Sequence, residues 1–476
     1  MDSKILESFG FKRDNYNILS DLHLRITYSD ALEILPTLHS VIYRNIEKSP
    51  DQCIIFFCKN QLLDLLILVV LIAENQNFVL LNGNNKNLED FEIQQFEHCS
   101  RILYTDFFDK EMEFLNPHNI RLIENKYFRL TDNKWLGSGK IMFKSSGSTG
   151  DSKVVIHKIS ALIRHSLRCS EHLAIDFKDR VAIPVPINHM YGLGAGLLPS
   201  LMAGASLILV NNTNIPLFFE AERLLSPNIA FLTPGILKMY LNFKKNRYHY
   251  KSIISAGDEL DRISALDIDS KFGKLINLYG STELGVIATS KNMKSYKILC
   301  PLPDVKIYSA PFQGGFKELI CEHPNPFIGY YNINKRTFES VTNNGNMFNT
   351  HDLIIETENI EFQLSGRSDF CVNRNGVLMS LIEVEAQIKL HLAEINEIVI
   401  IQTGEFDIYR GHKISAYFVL NCEKKLSEDE LKSRCREFLE SYKIPDTFVE
   451  IPEMPHLTSG KPDRQKIKSI YMSNAN

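Results

Sequence analysis

Lys144-Ser145-Ser146-Gly147-Ser148-Thr149-Gly150-Asp151-Ser152-Lys153 is the stretch from which the rest of the 476-residue chain is read. The apolar runs on either side, Ile141-Met142-Phe143 and Val154-Val155-Ile156, read as strands, so the segment between them is a polar turn. Its glycines let backbone N–H groups approach an anion closely, and its hydroxyls add donors. Lys153 adds a mobile positive charge at the turn's end. That combination suits polyphosphate. The GxxxxGK[ST] spacing of a Walker loop is absent here and elsewhere in the chain, so a P-loop NTPase is not expected. Taken alone, the same residues also describe a solvated Ser/Gly hairpin.

Outward from this turn, strands and helices alternate. Cys53 to Cys58 reads as a buried strand, the Leu-rich run from Leu62 as the following helix, and Asn77 to Leu81 as the next strand. Arg101–Tyr104, Arg180–Pro186, Ala205–Val210, Ile229–Leu232, Ile253–Ala256 and Lys274–Leu278 continue the strands, with a helix over Ser160–His172. This is the pattern of a parallel sheet covered by helices. Near the start, Arg25–Asp30 reads as a short strand entering a helix capped near Ser29. After about residue 295, short alternating strands (305–307, 318–320, 353–355, 360–362) indicate an antiparallel region. The last 110 residues or so read as a small α/β domain, with a helix from Ser427 to Tyr442 opened by a Ser427/Glu430 capping box. The expected fold is α/β: a large domain of helix-flanked sheets plus a small β-region over 1–366, then a small mobile α/β domain over 367–476, with the boundary at Gly366–Asp369.

Bulk properties narrow the function. Hydrophobic residues make up 44% and charged residues 23%, enough apolar content for large cores. A net charge of −4 gives no reason to expect nucleic acid as a partner. The nine cysteines lack a CxxC pair or a Cys/His cluster in sequence and read as reduced structural thiols of a cytoplasmic protein. Met1-Asp2-Ser3-Lys4 begins no apolar signal segment, and the run Leu65–Ala73 is too short to span a bilayer.

Three glycine/hydroxyl turns close predicted strands, at 145–153, 255–259 and 279–283. Ligands of open α/β sheets bind outside the carboxyl ends of strands, so three such turns in one sheet favour a nucleotide pocket. Glu283 offers oxygen ligands to Mg²⁺, although an isolated exposed glutamate has the same appearance. Asp352 could accept hydrogen bonds from ribose hydroxyls or be a turn aspartate. Arg367 and Asp369 could be an ordinary ion pair at a glycine turn. Lys461 sits in the Thr-Ser-Gly-Lys turn 458–461 bracketed by prolines, where a lysine can swing as a point charge or simply be solvated. His189, in Asn188-His189-Met190-Tyr191-Gly192, borders an apolar, glycine-rich run that suits the wall of a substrate pocket.

In order along the chain, these stretches resemble the motifs of the adenylate-forming superfamily: acyl- and aryl-CoA synthetases, adenylation domains and luciferases. MFKSSGSTGDSKVV is similar to its phosphate loop, VPINHMYGLG to its acyl-pocket motif, SAGDEL to its adenine-side turn and NLYGSTELG to its Tyr-Gly-x-Thr-Glu motif. FNTHDL is similar to the ribose motif, GRSDFCVNRNGVLMSLIEVE to the hinge and its following loop, and the segment ending PHLTSGKPDR to the terminal lysine motif. The resemblance implies ATP and Mg²⁺, a carboxylic acid made into an acyl-adenylate, and transfer of the acyl group to CoA or to the phosphopantetheine of a carrier protein. It implies that Ser145, Ser146, Gly147, Ser148, Thr149, Gly150 and Lys153 hold the β- and γ-phosphates. Thr282 would meet the α-phosphate and Glu283 the metal. Gly257, Asp258 and Tyr279 would border adenine, and Asp352 and Arg367 would hold ribose. His189, Tyr191, Gly192 and Gly280 would line the acyl pocket. Asp369 would be the hinge, Gly376 would lie on the loop used for thioester formation, and Lys461 would be the adenylation lysine.

The chain departs from the family pattern in places. His351 stands where glycine is usual, Ser152 and Val154 replace proline and glycine, and Asn373-Arg374 stand where a lysine is usual. The Asn188–Gly192 strip carries no carboxylate, which disfavours an amino acid's ammonium group and favours a fatty or aryl acid. CoA is the preferred acceptor. A carrier-protein ligase is the alternative within the class, and an inactive nucleotide- or partner-binding member is the alternative outside it.

Overall fold

The computed structural model describes residues 1–44, 52–83, 93–105, 120–129, 136–145, 153–210, 215–243, 248–257, 260–290, 296–312, 316–333, 335–341, 343–357, 360–374, 377–407, 411–421, 426–457 and 461–472. The chain divides into two compact units. One contains residues 1–147, 151–306 and 322–347, and the other residues 307–321 with 348–476.

The first unit holds two helix-flanked sheet regions. In one, the order is Ile298–Pro301, Gly285–Ser290, Gly273–Ser281, Tyr250–Ala256, Ile229–Leu232, Arg180–Ile183, Ser206–Leu209, Ile18–Ser20 and Arg25–Thr27. The strands from Gly273–Ser281 through Ile18–Ser20 pair in parallel, with antiparallel pairing at both ends. In the other, the order is Thr337–Ser340, Gly329–Asn332, Lys153–Lys158, Lys140–Ser145, Asn77–Asn82, Cys53–Cys58, Cys99–Thr105 and Ile120–Glu124. Its centre is again parallel and its flanks antiparallel. The strand Cys53–Cys58 is buried along its whole length, which is why it reads as an unbroken apolar run rather than an alternating one.

The helix Leu62–Ala73 is buried on every face. Its single charge, Asp64, is kept by hydrogen bonds from the backbone N–H groups of Lys59 (2.7 Å) and Gln61 (3.1 Å) and from the Thr105 hydroxyl (2.8 Å). A buried carboxylate needs such partners. The first long helix runs Tyr28–Tyr43 and is capped by Thr27 rather than Ser29. Thr27 and Asp30 form a reciprocal capping box, so the cap is the residue whose hydroxyl reaches the third backbone N–H.

The second unit begins with strands ordered Lys306–Pro311, Lys317–Glu322, Asn343–Glu356 and Phe362–Arg367. The hairpin Cys371–Arg374/Val377–Ser380 follows, then a sheet of Ile395–Asp407, Gly411–Leu420 and Thr447–Glu450 with helices Leu381–His391 and Glu428–Cys435. Ile388, Ile400, Ile414, Ala416, Leu431 and Cys435 are its most deeply buried core residues. Ser427 caps the second helix by accepting from Glu430 N–H at 3.2 Å. The helix stops at Cys435 instead of reaching Tyr442, and a strand at Thr447–Glu450 that the sequence pattern did not reveal completes the sheet.

Candidate active site

The strands on either side of the Ser/Gly segment pair antiparallel. Lys140–Ser145 pairs with Lys153–Lys158, and Ser145 lies opposite Lys153 at its open end. Strand pairing therefore fixes where the turn starts and where its lysine leaves it. Ser146, Gly147, Ser148, Thr149 and Gly150 lie outside the described residues, as do Asp258 and Gly376.

The hairpin's outer strand pairs with Gly329–Asn332, with Asn332 opposite Lys153 and Tyr330 opposite Val155. Tyr330 is thus the diagonal neighbour of Lys153 on one sheet face. The Lys153 ammonium stands 5.1 Å from the centre of the Tyr330 ring, within cation–π range. The Tyr330 hydroxyl donates to Glu283 Oε1 at 3.1 Å. One tyrosine thus links the lysine and the glutamate that the family resemblance assigns to phosphate and metal. Sequence reasoning missed it, because Gly329-Tyr330-Tyr331 looks like any short aromatic strand until register places it beside Lys153.

Thr282 and Glu283 occupy the turn between strands Gly273–Ser281 and Gly285–Ser290. Two groups behind the turn hold its carbonyls. His157 Nε2 donates to Thr282 O at 2.7 Å, and Phe327 N–H donates to Glu283 O at 3.1 Å. Burial pushes His157 down to about 4, despite the opposing hydrogen bond to Thr282, so its imidazole is a neutral donor near pH 7. Deeper in, His165 Nε2 accepts from Val286 N–H at 3.1 Å, and burial holds this imidazole well below its ordinary value. His157 is a second residue the motifs did not reveal. It comes from the far end of the strand that begins with Lys153.

Tyr279 is buried on the strand leading into this turn, and Gly280 is exposed. A Cβ on Gly280 would come 2.3 Å from Gly285 O, so no larger residue fits. Gly257 ends its strand with φ +98°, a conformation only glycine adopts easily.

The acyl-pocket motif forms a widely wound helical turn, Tyr191–Leu197. The Tyr191 hydroxyl lies 3.0 Å from Leu232 O and 2.8 Å from Ile254 O, on two adjacent parallel strands. Its polar end is thus occupied by the scaffold, and only its ring is left for a ligand. A Cβ on Gly192 would lie 2.2 Å from Pro186 O, so glycine is required where this turn packs on its own lead-in. His189 differs. Its Nε2 is buried and has no hydrogen-bond partner among the described residues, and burial lowers its basicity.

In the second unit, Asp352 and Arg367 are opposite residues on paired strands. Arg367 donates to Asp352 Oδ1 at 3.0 Å and to Asp369 Oδ2 at 2.9 Å, one guanidinium bridging two carboxylates. His351 has φ +59°, the left-handed region. The position thus has the backbone of a glycine, the residue usual in the family there. An Asn349 side chain accepting from His351 N–H at 2.9 Å and the His351–Glu318 contact at 3.5 Å offset the strain. Arg374, the other departure, is buried. It donates to Ile444 O at 2.9 Å and Asp446 Oδ1 at 2.8 Å, so it braces the small domain's interior.

Lys461 is exposed. Its neck is tied by Leu457 N–H to Lys461 O at 2.8 Å and by the His456–Pro462 bridge. Three residues on, Arg464 donates to Glu385 Oε2 at 2.6 Å and Ile400 O at 2.8 Å.

Comparison with known proteins gives the family. The AMP-binding enzyme family matches residues 140–315, and its C-terminal domain matches residues 383–461. A 3,4-dihydroxybenzoate–[aryl-carrier protein] ligase of Bacillus anthracis is 23% identical over 416 residues, which cover 86% of this chain and 90% of that protein. A long-chain-fatty-acid–CoA ligase of Bacillus subtilis is 29% identical over 352 residues, covering 68% of this chain but 60% of that one. Among solved structures, the Bacillus subtilis O-succinylbenzoate coenzyme A synthetase, in complex with ATP and magnesium ion, superposes with a TM-score of 0.79 at 19% identity, covering 98% of this chain and 99% of that one. With both family regions matched in order and the fold shared along the whole chain, this protein belongs to the adenylate-forming superfamily of AMP-binding enzymes.

Proposed function

We propose that this chain is an AMP-forming acid–thiol ligase. A carboxylate oxygen of the acid attacks the α-phosphorus of ATP, the bond to the bridging oxygen breaks, and pyrophosphate leaves. A thiol sulfur then attacks the acyl carbon of the adenylate, AMP departs and the thiol proton goes to solvent. The single observation that carries the reading is the linked set Lys153, Tyr330 and Glu283, a cation and a carboxylate held on one tyrosine at the mouth of the Ser/Gly hairpin.

Each residue then has a task. Lys153 holds the phosphates that leave. Thr282, its carbonyl fixed from behind by neutral His157, presents its hydroxyl to the α-phosphate. The Glu283 carboxylate, steered by the hydrogen bond from Tyr330, is an oxygen ligand of the kind Mg²⁺ takes, and Glu283 would hold the ion. When bound, the ion neutralises phosphate charge. Asp352 and Arg367 serve the ribose, with Asp369 as the hinge residue of a mobile segment 367–476. Lys461, itself exposed, serves adenylation. Catalysis in this scheme is positioning and charge stabilisation, without a covalent enzyme intermediate.

The acid is proposed to be fatty or aryl. The Asn188–Gly192 strip offers no charge for an ammonium group, while the buried His189 Nε2 can meet one polar group of an otherwise apolar body. CoA is the proposed acceptor. The carrier-protein ligase that aligns over 86% of this chain supports a second reading, in which a phosphopantetheine arm takes its place. Acid-dependent exchange of pyrophosphate into ATP, across a panel of fatty, aryl and amino acids, tests the first half-reaction. Exchange with none of them would favour an inactive nucleotide-binding member. Offering CoA and a phosphopantetheinylated carrier side by side decides the acceptor.

A further inference from the structure

At the end of the sheet opposite Ser145, the fold brings Cys53 to the adjacent pair His98-Cys99, three metal-ligand side chains in all. Cys53 opens one central strand and Cys99 the strand beside it, and the two are directly paired across the parallel ladder. Facing cysteines on neighbouring strands project to the same side. His98 precedes Cys99 and would point away from it in a continuous strand, but it belongs to the turn before the strand. There Phe96 N–H bonds to Ile93 O at 3.0 Å and Cys99 N–H to Phe96 O at 3.0 Å, and the turn folds the imidazole back to the sulfurs. The buried Asn125 amide locks that turn by donating to Phe96 O at 3.2 Å and Cys99 O at 2.9 Å.

The result is a compact donor set. A ligand atom from each of Cys53, His98 and Cys99 lies within 4.8 Å of the others, and all three residues are buried. The cysteines are free thiols. Around a tetrahedral zinc, ligand atoms stand about 3.5–3.8 Å apart, given Zn–S near 2.3 Å and Zn–N near 2.0–2.1 Å. The cluster thus needs to close by roughly 1 Å at most. Two sulfurs and one imidazole nitrogen are the soft set preferred by d¹⁰ cations, not by Mg²⁺ or Ca²⁺. The surroundings are apolar: Ile55, Phe96, Val79 and Tyr331 belong to the same core, and the His98 ring packs 4.6 Å from that of Tyr331.

We propose that Cys53, His98 and Cys99 form a structural site for a soft d¹⁰ cation, Zn²⁺ or Cu⁺, that clamps two central strands of the sheet carrying the phosphate-loop hairpin. Binding converts both thiols to thiolates and releases two protons to solvent. No electron transfer is involved; among the described residues the set has three ligands, and a fourth position, where the ion uses one, would take a non-protein ligand.

The full-length chain tests this directly. Purified under reducing conditions, it should carry close to one zinc or copper per chain by mass spectrometry. Removing the ion with a chelator should lower the melting temperature by about 3 °C or more, and readdition of Zn²⁺ or, anaerobically, Cu⁺ should restore it. Cobalt loading should give thiolate-to-metal charge-transfer bands. Cys53→Ala and Cys99→Ala should lose the metal and the bands, whereas Cys169→Ala, at a buried cysteine on another element, should keep both. Should the two cysteine variants fail to fold, the wild-type cobalt spectrum and the chelator-dependent shift still decide. An unchanged melting temperature with both metals, together with absent charge-transfer bands, would overturn the proposal. So would a Cys53–Cys99 disulfide in the purified chain, with two fewer free thiols than the nine cysteines supply. None of these readouts depends on acid activation.

Discussion

The two units carry their charged groups in opposite ways. In the first, Lys153 and Glu283 are attached to strands whose register is set by hydrogen-bonded neighbours; Tyr330 ties both from the side, and His157 holds the neighbouring Thr282 carbonyl from behind. In the second, Arg367 is about one-third exposed and bridges two carboxylates, and Lys461 is exposed, its carbonyl accepting from Leu457 N–H. A triphosphate's charge is met most effectively by groups that need no reorganisation, which suits the first arrangement. On the proposed reading Lys461 is used in one half-reaction and withdrawn in the other, and a charge used in that way must be free to leave, which suits the second. The contrast separates a prepared surface from a delivered charge.

Substitutions can break that contrast. The largest effect is expected from Lys461→Ala: adenylation, read by pyrophosphate exchange, should fall by about 10²–10³-fold. Thioester formation from supplied acyl-adenylate should stay within about threefold, since the delivered charge is absent from that half. Equal losses in both halves would remove the distinction. Glu283→Gln should cost adenylation about a hundredfold and raise the Mg²⁺ concentration needed for half-maximal rate.

Tyr330→Phe is milder and more diagnostic. It keeps the ring beneath Lys153 but deletes the hydroxyl on Glu283, so a loss of about tenfold is expected, accompanied by a raised Mg²⁺ requirement. A loss without any change in Mg²⁺ dependence would show that Tyr330 acts on packing alone.

Stability against pH probes the layer behind the site. His157 takes up its proton near pH 4 in the folded chain and near 6.5 when unfolded. Between those values the unfolded chain binds a proton that the folded chain refuses, so stability is complete above about pH 6.5 and falls as pH drops toward 4. The loss for this one group is on the order of 3 kcal/mol. His165 and His323 are lowered by burial as well and steepen the fall. Urea midpoints measured across this window should show a smaller slope for His157→Gln, which keeps an N–H donor near Thr282 but cannot titrate. An unchanged slope would mean that the other histidines dominate.

The smallest effect tests the altered ribose turn. His351→Gly should leave stability within about 1 kcal/mol of the parent, because glycine relieves the left-handed strain while adding unfolded-state freedom. His351→Val should cost about 1–2 kcal/mol by thermal unfolding, since a β-branched residue is disfavoured at positive φ.

The legible parts of this protein share a physical basis. Strands buried on both faces leave apolar runs such as Cys53–Cys58, and the paired strands Lys140–Ser145 and Lys153–Lys158 leave the runs Ile141–Phe143 and Val154–Ile156 on either side of small polar residues. Composition alone carries both signals. The Arg374 departure could be seen but not understood from sequence, since its partners Ile444 and Asp446 lie about seventy positions away. The helix expected to reach Tyr442 ends at Cys435 because its last predicted turn is taken by a different conformation that local propensity does not foresee.

The sequence by itself determined the family, the order of the motifs and the alternation of strand and helix, because each is written in neighbouring residues. Only the tertiary structure decided that Tyr330 joins Lys153 to Glu283, that His157 stands behind Thr282, and that Cys53 meets His98 and Cys99. Those are cross-strand pairings and close contacts between distant segments. They depend on register and sheet order, which one-dimensional pattern leaves open: a slip of one residue would turn a strand side chain such as Tyr330 or Cys53 to the opposite face.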